Sequence, residues 1–203
     1  MFWGKPDSSV DFCEDKYVKS DYVAEYYNAL SSFSYILVGS FYYKTKLKSI
    51  GISIILLGIG TGVLHSTLRY YGQILDEGAM LGLSFNIINK IRERQNLQEF
   101  SNMYLYFLVV FYLIFYTKFY IFFSIFSSLQ IYTYYLVKNR KNKIKSKSNG
   151  CILCYRNIFV FSFFCWMLDQ LFCEYVKQFH LHAIWHIGTS ISLFVGLVPF
   201  LLN

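Results

Sequence analysis

Long apolar runs, separated by short polar stretches, follow one another along almost the whole chain. A helix that crosses the hydrocarbon layer of a membrane needs about 20 mainly apolar residues. Seven stretches approach that length, and the third and sixth have the weakest pattern because they contain carboxylates. The predicted spans are residues 24–43, 50–68, 73–90, 102–117, 119–137, 156–175 and 181–201. The predicted fold class is all-α, a bundle of seven transmembrane helices, and residues 1–203 are expected to form a single domain.

The composition supports a membrane protein. Hydrophobic residues make up 55% of the chain and charged residues only 15%, whereas soluble domains carry about 25% charged residues. A disordered chain, a collagen-like repeat and a disulfide-dense secreted module are excluded on the same grounds. An ordinary water-soluble enzyme is disfavoured because the chain lacks the polar residues to cover its surface.

Basic residues are concentrated in three of the predicted loops. Thirteen of the nineteen Lys and Arg residues follow spans one, three and five. Because cytoplasmic loops are enriched in Lys and Arg, this bias predicts a lumenal or extracellular N-terminus and a cytosolic C-terminus. Residues 1–23 would be a lumenal segment and residues 138–150 a basic cytosolic loop. The net charge of +7 does not indicate a nucleic-acid partner, since the basic residues lie between apolar stretches.

Several ionisable residues fall inside or beside the predicted spans. Such groups are expensive to place in a membrane and are therefore functional candidates. His65 lies near the end of span two, Asp76 at the start of span three, and His182 with His186 at the start of span seven. The predicted topology places these four at one depth, in the lumenal half of the bundle. Asp169 lies within span six.

The segment LHAIWH places His182 and His186 four residues apart. This spacing stacks two imidazoles on one helical face, as a metal site requires. His65 would supply a third nitrogen, and three protein ligands with an open fourth position describe a catalytic zinc site. The alternative is that each histidine forms hydrogen bonds between neighbouring helices.

The two carboxylates and one hydroxyl complete the candidate site. Asp76 and Asp169 are candidates for a general base and acid or for residues that orient the metal ligands. The alternatives are a helix-end carboxylate for Asp76 and an ion pair for Asp169. Thr61 lies one turn before His65 on the same face, where its hydroxyl would support an oxyanion.

A second group of carboxylates lies near the N-terminus and contains Asp11, Glu14, Asp15 and Glu25. Closely spaced carboxylates suit a hard cation such as calcium. The spacing is not that of an EF-hand, and an acidic, solvated tail is the alternative.

Five ordered motifs resemble those of the alkaline ceramidases and together extend over nearly the whole chain. They are FWGKPDSSVDFCEDKYV, VAEYYNALSS, HSTLRYYGQILDEGAM, WMLDQLFCE and LHAIWH. The resemblance implies a zinc-dependent amidase, embedded in the membrane, that cleaves ceramide or a related sphingolipid into a sphingoid base and a fatty acid. It also implies a multi-pass protein of the endoplasmic reticulum or Golgi.

The same resemblance implies roles for individual residues. His65, His182 and His186 match the zinc ligands, Asp76 the residue that deprotonates the attacking water, and Thr61 a serine that assists the oxyanion. A disulfide is implied between Cys13 and Cys173. The implied calcium ligands are Asp11, the carbonyl of Phe12, Glu14, Lys16 and Glu25.

Departures from the family pattern concern the calcium site most. Lys16 replaces an asparagine that binds calcium in the family, so a positive charge lies where the cation is expected. The catalytic set is retained, with Thr61 in place of the serine. The remaining alternatives are a related seven-span lipid hydrolase of another specificity, a non-catalytic receptor or scaffold that contains zinc, and a transporter.

Overall fold

A computed structural model describes residues 2–139 and 146–201 of the chain. Within these residues it contains α-helices, short 3₁₀ turns and no β-strand, which confirms the all-α prediction. In chain order the helices are α1 (Tyr26–Ser31), α2 (Phe33–Tyr43), α3 (Lys48–Thr67), α4 (Tyr70–Arg94), α5 (Asn102–Ile114), α6 (Phe119–Lys138), α7 (Ser146–Leu171), α8 (Cys173–Val176) and α9 (Leu181–Leu197). The 3₁₀ turns are Lys177–Phe179 and Val198–Phe200.

Helical structure lies at each of the seven predicted positions. Four of these helical segments are long and apolar enough to cross a membrane, namely Lys48–Thr67, Phe119–Lys138, Asn149–Leu171 and Leu181–Phe200. Large apolar side chains such as Leu37, Phe107 and Ile131 lie exposed on the outside of the helices. An apolar surface of this extent is unfavourable in water and favourable in lipid. The chain is therefore a multi-pass membrane protein.

The sixth predicted span differs most from the structure. It was expected at residues 156–175, but the described residues are already helical at Ser146, α7 ends at Leu171, and Cys173 starts a separate short helix. The earlier start also shortens the predicted basic loop 138–150, of which residues 140–145 lie outside the described residues. Lysine is a good helix former, so a basic stretch does not prevent α7 from extending. The early end is explained by Cys173, which is bonded to Cys13.

Helix α3 lies between α2 and α4, and glycines permit the close approach. A Cβ atom added at Gly51 would lie 2.4 Å from the backbone nitrogen of Tyr43, and one at Gly60 would lie 2.7 Å from the carbonyl oxygen of Leu75. Small residues at helix contacts let backbones pack closely in membranes. The contact at Gly60 matters for the site, because Leu75 directly precedes Asp76.

The N-terminal segment folds back over one end of the bundle. The backbone amides of Ala24 and Glu25 donate hydrogen bonds of 2.9 Å to the carbonyls of Ser66 and His65, respectively, at the end of α3. Asp7 and Arg69 form an ion pair of 2.9 Å beside these contacts. The segment is therefore not a solvated tail but covers the helix ends that carry the predicted site residues.

Candidate metal and catalytic site

Three buried histidines meet under the N-terminal segment. His65 comes from the last turns of α3, and His182 and His186 come from the first turns of α9. Their ligating nitrogens lie within 4.8 Å of one another. His182 and His186 share a face of α9 because they are four residues apart. We call these three residues the histidine cluster.

Two of the three rings are oriented by hydrogen bonds at Nδ1. The Nδ1 atom of His65 lies 2.6 Å from Oε2 of Glu25, and that of His186 lies 2.7 Å from Oγ of Ser31. The Glu25 carboxylate is fully buried and accepts the proton of His65 Nδ1, which leaves Nε2 of that ring with a lone pair. Such partners fix the tautomer and orientation of metal-binding histidines.

Other nitrogens of the histidine cluster are left without partners. Among the described residues, neither Nε2 of His65 nor Nδ1 of His182 has a hydrogen-bond partner, although both atoms are buried. Buried polar atoms are nearly always satisfied, so a pair of unsatisfied nitrogens in one cluster indicates a missing ligand. Three imidazole nitrogens within reach of one point fit the donor set of a zinc site.

Asp76 and Thr61 face each other across the contact between α3 and α4. The Oγ1 atom of Thr61 lies 2.5 Å from Oδ1 of Asp76 and 2.9 Å from the carbonyl oxygen of Leu57. The hydroxyl has one proton and therefore donates to one of these oxygens at a time. Asp76 lies inside α4, which begins at Tyr70, so the alternative of a helix-end carboxylate does not apply. Gly60 permits this pairing, since its missing Cβ would lie 2.8 Å from the nitrogen of Asp76.

Asp76, Thr61, His182 and His186 line one cavity. Much of its wall is aromatic, with Phe119, Phe122, Phe123, Phe163, Trp166 and Trp185 from α6, α7 and α9 among the lining residues. Gln130 and Thr133 of α6 also line it. Two members of the histidine cluster, His182 and His186, therefore face a largely apolar cavity.

The predicted disulfide between Cys13 and Cys173 is present, with Cα atoms 5.3 Å apart. It fixes the N-terminal segment to α8. Next to it the ring of Phe12 packs at a tilt against His65 and His182, with centroid distances of 4.7 and 4.2 Å. Asp169 binds this segment, because its Oδ2 accepts a 3.3 Å hydrogen bond from the Cys13 backbone amide.

The N-terminal carboxylates are arranged around a lysine. The Lys16 ammonium lies 2.7 Å from Oδ1 of Asp11 and 3.2 Å from Oε1 of Glu25, and it donates to the carbonyl of Phe12. The Glu14 carboxylate does not pair with Lys16 and accepts hydrogen bonds from the backbone amides of Tyr27 and Asn28 at the start of α1. We call Lys16, Asp11, Phe12 and Glu25 the Lys16 cluster.

The charge state of Lys16 follows from its neighbours. Burial alone would lower the pKa of Lys16, but the carboxylates of Glu25 and Asp11 outweigh that effect and raise the pKa above its ordinary value. The side chain is therefore a cation at neutral pH. These residues do not fit a calcium ion, because an ammonium already lies among the oxygens that were expected to bind it.

The comparison with known families assigns the chain. The family model described as Ceramidase matches residues 4–202. The chain belongs to the ceramidase family. A relative from Dictyostelium discoideum is 27% identical over 246 residues, which cover 95% of this chain and 85% of the relative.

Two further relatives of the ceramidase family have similar coverage. Human alkaline ceramidase 1 is 25% identical over 213 residues, covering 94% of this chain and 81% of the human protein. The alkaline ceramidase of Arabidopsis thaliana is 26% identical over 216 residues, covering 94% of this chain and 82% of the plant protein. The predicted resemblance is confirmed, and so is the prediction of a hydrolase from a family that acts on the amide bond of ceramide.

The sequence patterns did not identify three features of this ceramidase-family site. Ser31 lies 155 residues from His186, its hydrogen-bond partner. Glu25 was expected only as a calcium ligand, and no pattern in the sequence indicated that its carboxylate orients His65. Glu77 is buried beside Asp76 and accepts a 3.1 Å hydrogen bond from Gln73. The adjacency of Asp76 and Glu77 was the available signal for Glu77, whereas nothing local marks Ser31.

Proposed function

We propose that this chain is a zinc-dependent amidase, embedded in the membrane, that hydrolyses ceramide or a related sphingolipid to a sphingoid base and a free fatty acid. One observation carries the proposal. Three buried histidines have ligating nitrogens within 4.8 Å of one another, and two of them, His182 and His186, line an apolar cavity together with Asp76 and Thr61. Membership of the ceramidase family supports the substrate class.

His65, His182 and His186 would hold the zinc ion. When bound, zinc supplies a Lewis acid that polarises the amide carbonyl and makes a neighbouring water more acidic. Glu25 and Ser31 hold the Nδ1 atoms of His65 and His186, so that Nε2 of each ring is the nitrogen available for the metal. Phe12 packs against His65 and His182 and would exclude bulk water from that side.

Asp76 carries the proton during hydrolysis. Its carboxylate takes a proton from the attacking water as the water oxygen bonds to the amide carbon. It then gives that proton to the amide nitrogen as the C–N bond breaks, which yields the amine of the sphingoid base and the fatty acid. Before the reaction the Thr61 hydroxyl donates a hydrogen bond to the Asp76 carboxylate. Once Asp76 carries the proton, that hydroxyl is free to donate a hydrogen bond to the substrate oxygen as the oxygen becomes negative.

The cavity suits a substrate with two hydrocarbon chains. Its lining is mainly aromatic and aliphatic, with a small number of polar groups that include Thr61, Asp76 and Glu77. Burial of each CH₂ group contributes about 0.8 kcal/mol, so long chains would supply most of the binding energy. The amide would then lie at the polar end, beside Asp76 and the histidine cluster.

The proposal includes the membrane arrangement. The helical segments at the seven predicted positions would each span the membrane, with the N-terminus lumenal and the C-terminus cytosolic. The distribution of basic residues supports this orientation. The disulfide between Cys13 and Cys173 also supports it, since disulfides persist in oxidising compartments. The endoplasmic reticulum or Golgi is the proposed location.

The test is release of labelled fatty acid from a panel of ceramides by detergent-purified protein. We expect hydrolysis that a zinc chelator abolishes and added zinc restores. His182→Ala should lose both bound zinc and activity. His180→Asn is the matched control, because His180 lies outside the histidine cluster and adopts a left-handed backbone conformation that asparagine tolerates.

Two results would contradict the proposal. Chelator-resistant hydrolysis with full activity in His182→Ala would remove the zinc mechanism. An absence of ceramide hydrolysis by folded, zinc-loaded protein would favour the alternatives, and a panel of other lipid amides and esters would then separate a related hydrolase from a receptor or scaffold.

A further inference from the structure

The Lys16 ammonium lies where oxygen ligands from separate parts of the N-terminal segment converge. Its three partners are the carboxylates of Asp11 and Glu25 and the carbonyl of Phe12. An ammonium has three protons, and three oxygens surround this one. The contact with Glu25, at 3.2 Å, is an ion pair without a well-directed hydrogen bond.

The same oxygens are those expected to bind calcium. Calcium requires six to eight oxygen ligands at about 2.3–2.6 Å. Lys16 brings a charge of the same sign into the centre of the set, and Glu14 uses both carboxylate oxygens on the amides of Tyr27 and Asn28. A calcium ion would have to displace the ammonium and would lack its full number of ligands.

We propose that Lys16 is a built-in cation that takes the place of a divalent metal ion in this protein, so that the N-terminal segment is held without calcium. We further infer that Lys16 is a positioning residue for His65, through Glu25. This second statement rests on the proposed zinc function, whereas the replacement of calcium does not.

The connection to His65 runs through one carboxylate. Glu25 is 0% exposed, and its two oxygens point to different clusters, with Oε1 toward Lys16 and Oε2 toward Nδ1 of His65. Lys16 therefore fixes one oxygen of this buried carboxylate and leaves the other directed at Nδ1 of His65. That contact holds the ring in the orientation in which Nε2 is available.

The test measures the thermal unfolding temperature of the purified protein in EGTA and in CaCl₂, beside calcium retention on the protein. For the unmodified chain we expect the same unfolding temperature in both solutions and no retained calcium. Lys16→Asn removes the charge and adds an oxygen. It should unfold roughly 5–10 °C lower in EGTA and recover in CaCl₂.

Two other variants complete the design. Lys16→Met keeps the length of the side chain without charge or oxygen, and it should lose unfolding temperature in both solutions with little recovery in CaCl₂. Lys19→Asn removes an exposed charge from the same segment and should change nothing. Variants are purified in CaCl₂ and then exchanged into EGTA, so that a protein that needs the ion is obtained folded.

The outcomes separate the two statements. Calcium-dependent stability or retained calcium in the unmodified chain would overturn the replacement of calcium by Lys16, as would an unchanged unfolding temperature of Lys16→Asn in EGTA. The role toward His65 is read from the zinc content after dialysis, where Lys16→Met should retain at least tenfold less zinc than Lys19→Asn. Equal zinc content would overturn that role. None of these readouts requires hydrolysis, so failure of the proposed function is recognised separately.

Discussion

The histidine cluster and the Lys16 cluster meet at Glu25 but differ in how their polar atoms are partnered. In the Lys16 cluster the cation belongs to the chain, and oxygens surround it. In the histidine cluster, two nitrogens on neighbouring rings have no partner among the described residues. The difference teaches that chemical type alone does not identify a metal site. Both clusters contain good ligands and buried atoms without a hydrogen-bond partner. In the Lys16 cluster that atom, Oε1 of Glu25, already pairs with a cation of the chain, whereas nothing among the described residues pairs with the two nitrogens of the histidine cluster.

The largest effect on turnover is expected for Asp76→Asn, which separates proton transfer from metal binding. Asp76→Asn removes the proton carrier but touches none of the three histidines, so zinc content should stay unchanged. Turnover should fall by about 10²–10⁴-fold, which is the usual contribution of a general base. Single-turnover hydrolysis and metal analysis of the same preparation measure both quantities. Loss of zinc together with activity would show that Asp76 acts on the metal site instead.

Glu25→Gln tests the residue that the two clusters share. The amide keeps the shape of the side chain but cannot pair with Lys16 and presents an uncharged oxygen or an NH₂ group to His65. We expect zinc affinity to fall by about 10–100-fold and the unfolding temperature to fall as well, because Lys16 loses a charged partner. Competition with a zinc chelator measures the zinc affinity, and thermal unfolding measures the stability.

Glu93→Gln is the control, since Glu93 pairs with Lys90 in an exposed position. A loss of only one property would mean that the clusters are independent.

Ser31→Ala sharpens the comparison by affecting the histidine cluster alone. It removes the hydroxyl 2.7 Å from Nδ1 of His186, and we expect a loss of about tenfold in zinc affinity with no effect of EGTA or calcium. Ser34→Ala is a matched control, because the Ser34 hydroxyl donates only to the backbone carbonyl of Ser31 in the same part of the chain. Equal affinities in the two variants would mean that Ser31 does not orient His186.

Local sequence patterns predicted the helical fold and the members of the histidine cluster. The helical repeat places His182 and His186 on one face of a helix. The position of His65 at the end of an apolar stretch indicated that it lies near one end of its helix. The pairings of Ser31 with His186 and of Glu25 with His65 depend on packing between distant helices, which no local pattern encodes. The position of Asp169 depends in the same way on the Cys13 amide, 156 residues away.

The helix ends were predicted less well than the helices. Apolar character set the expected end of span six at residue 175, but the chain leaves α7 after Leu171 because Cys173 is bonded to Cys13. The helical conformation of residues 146–155 was not predicted because this polar stretch has no apolar pattern, although lysine favours helices.

The separation of Cys13 and Cys173 by 160 residues has a consequence for how the protein is made. A ribosome that adds about 5–20 residues per second exposes Cys13 roughly 8–30 s before its partner has been synthesised. During that interval the segment that covers the histidines is not yet fastened. His182 and His186 follow Cys173 in the next long helix, so this segment can be bonded at nearly the same stage of synthesis at which the last two members of the histidine cluster become available.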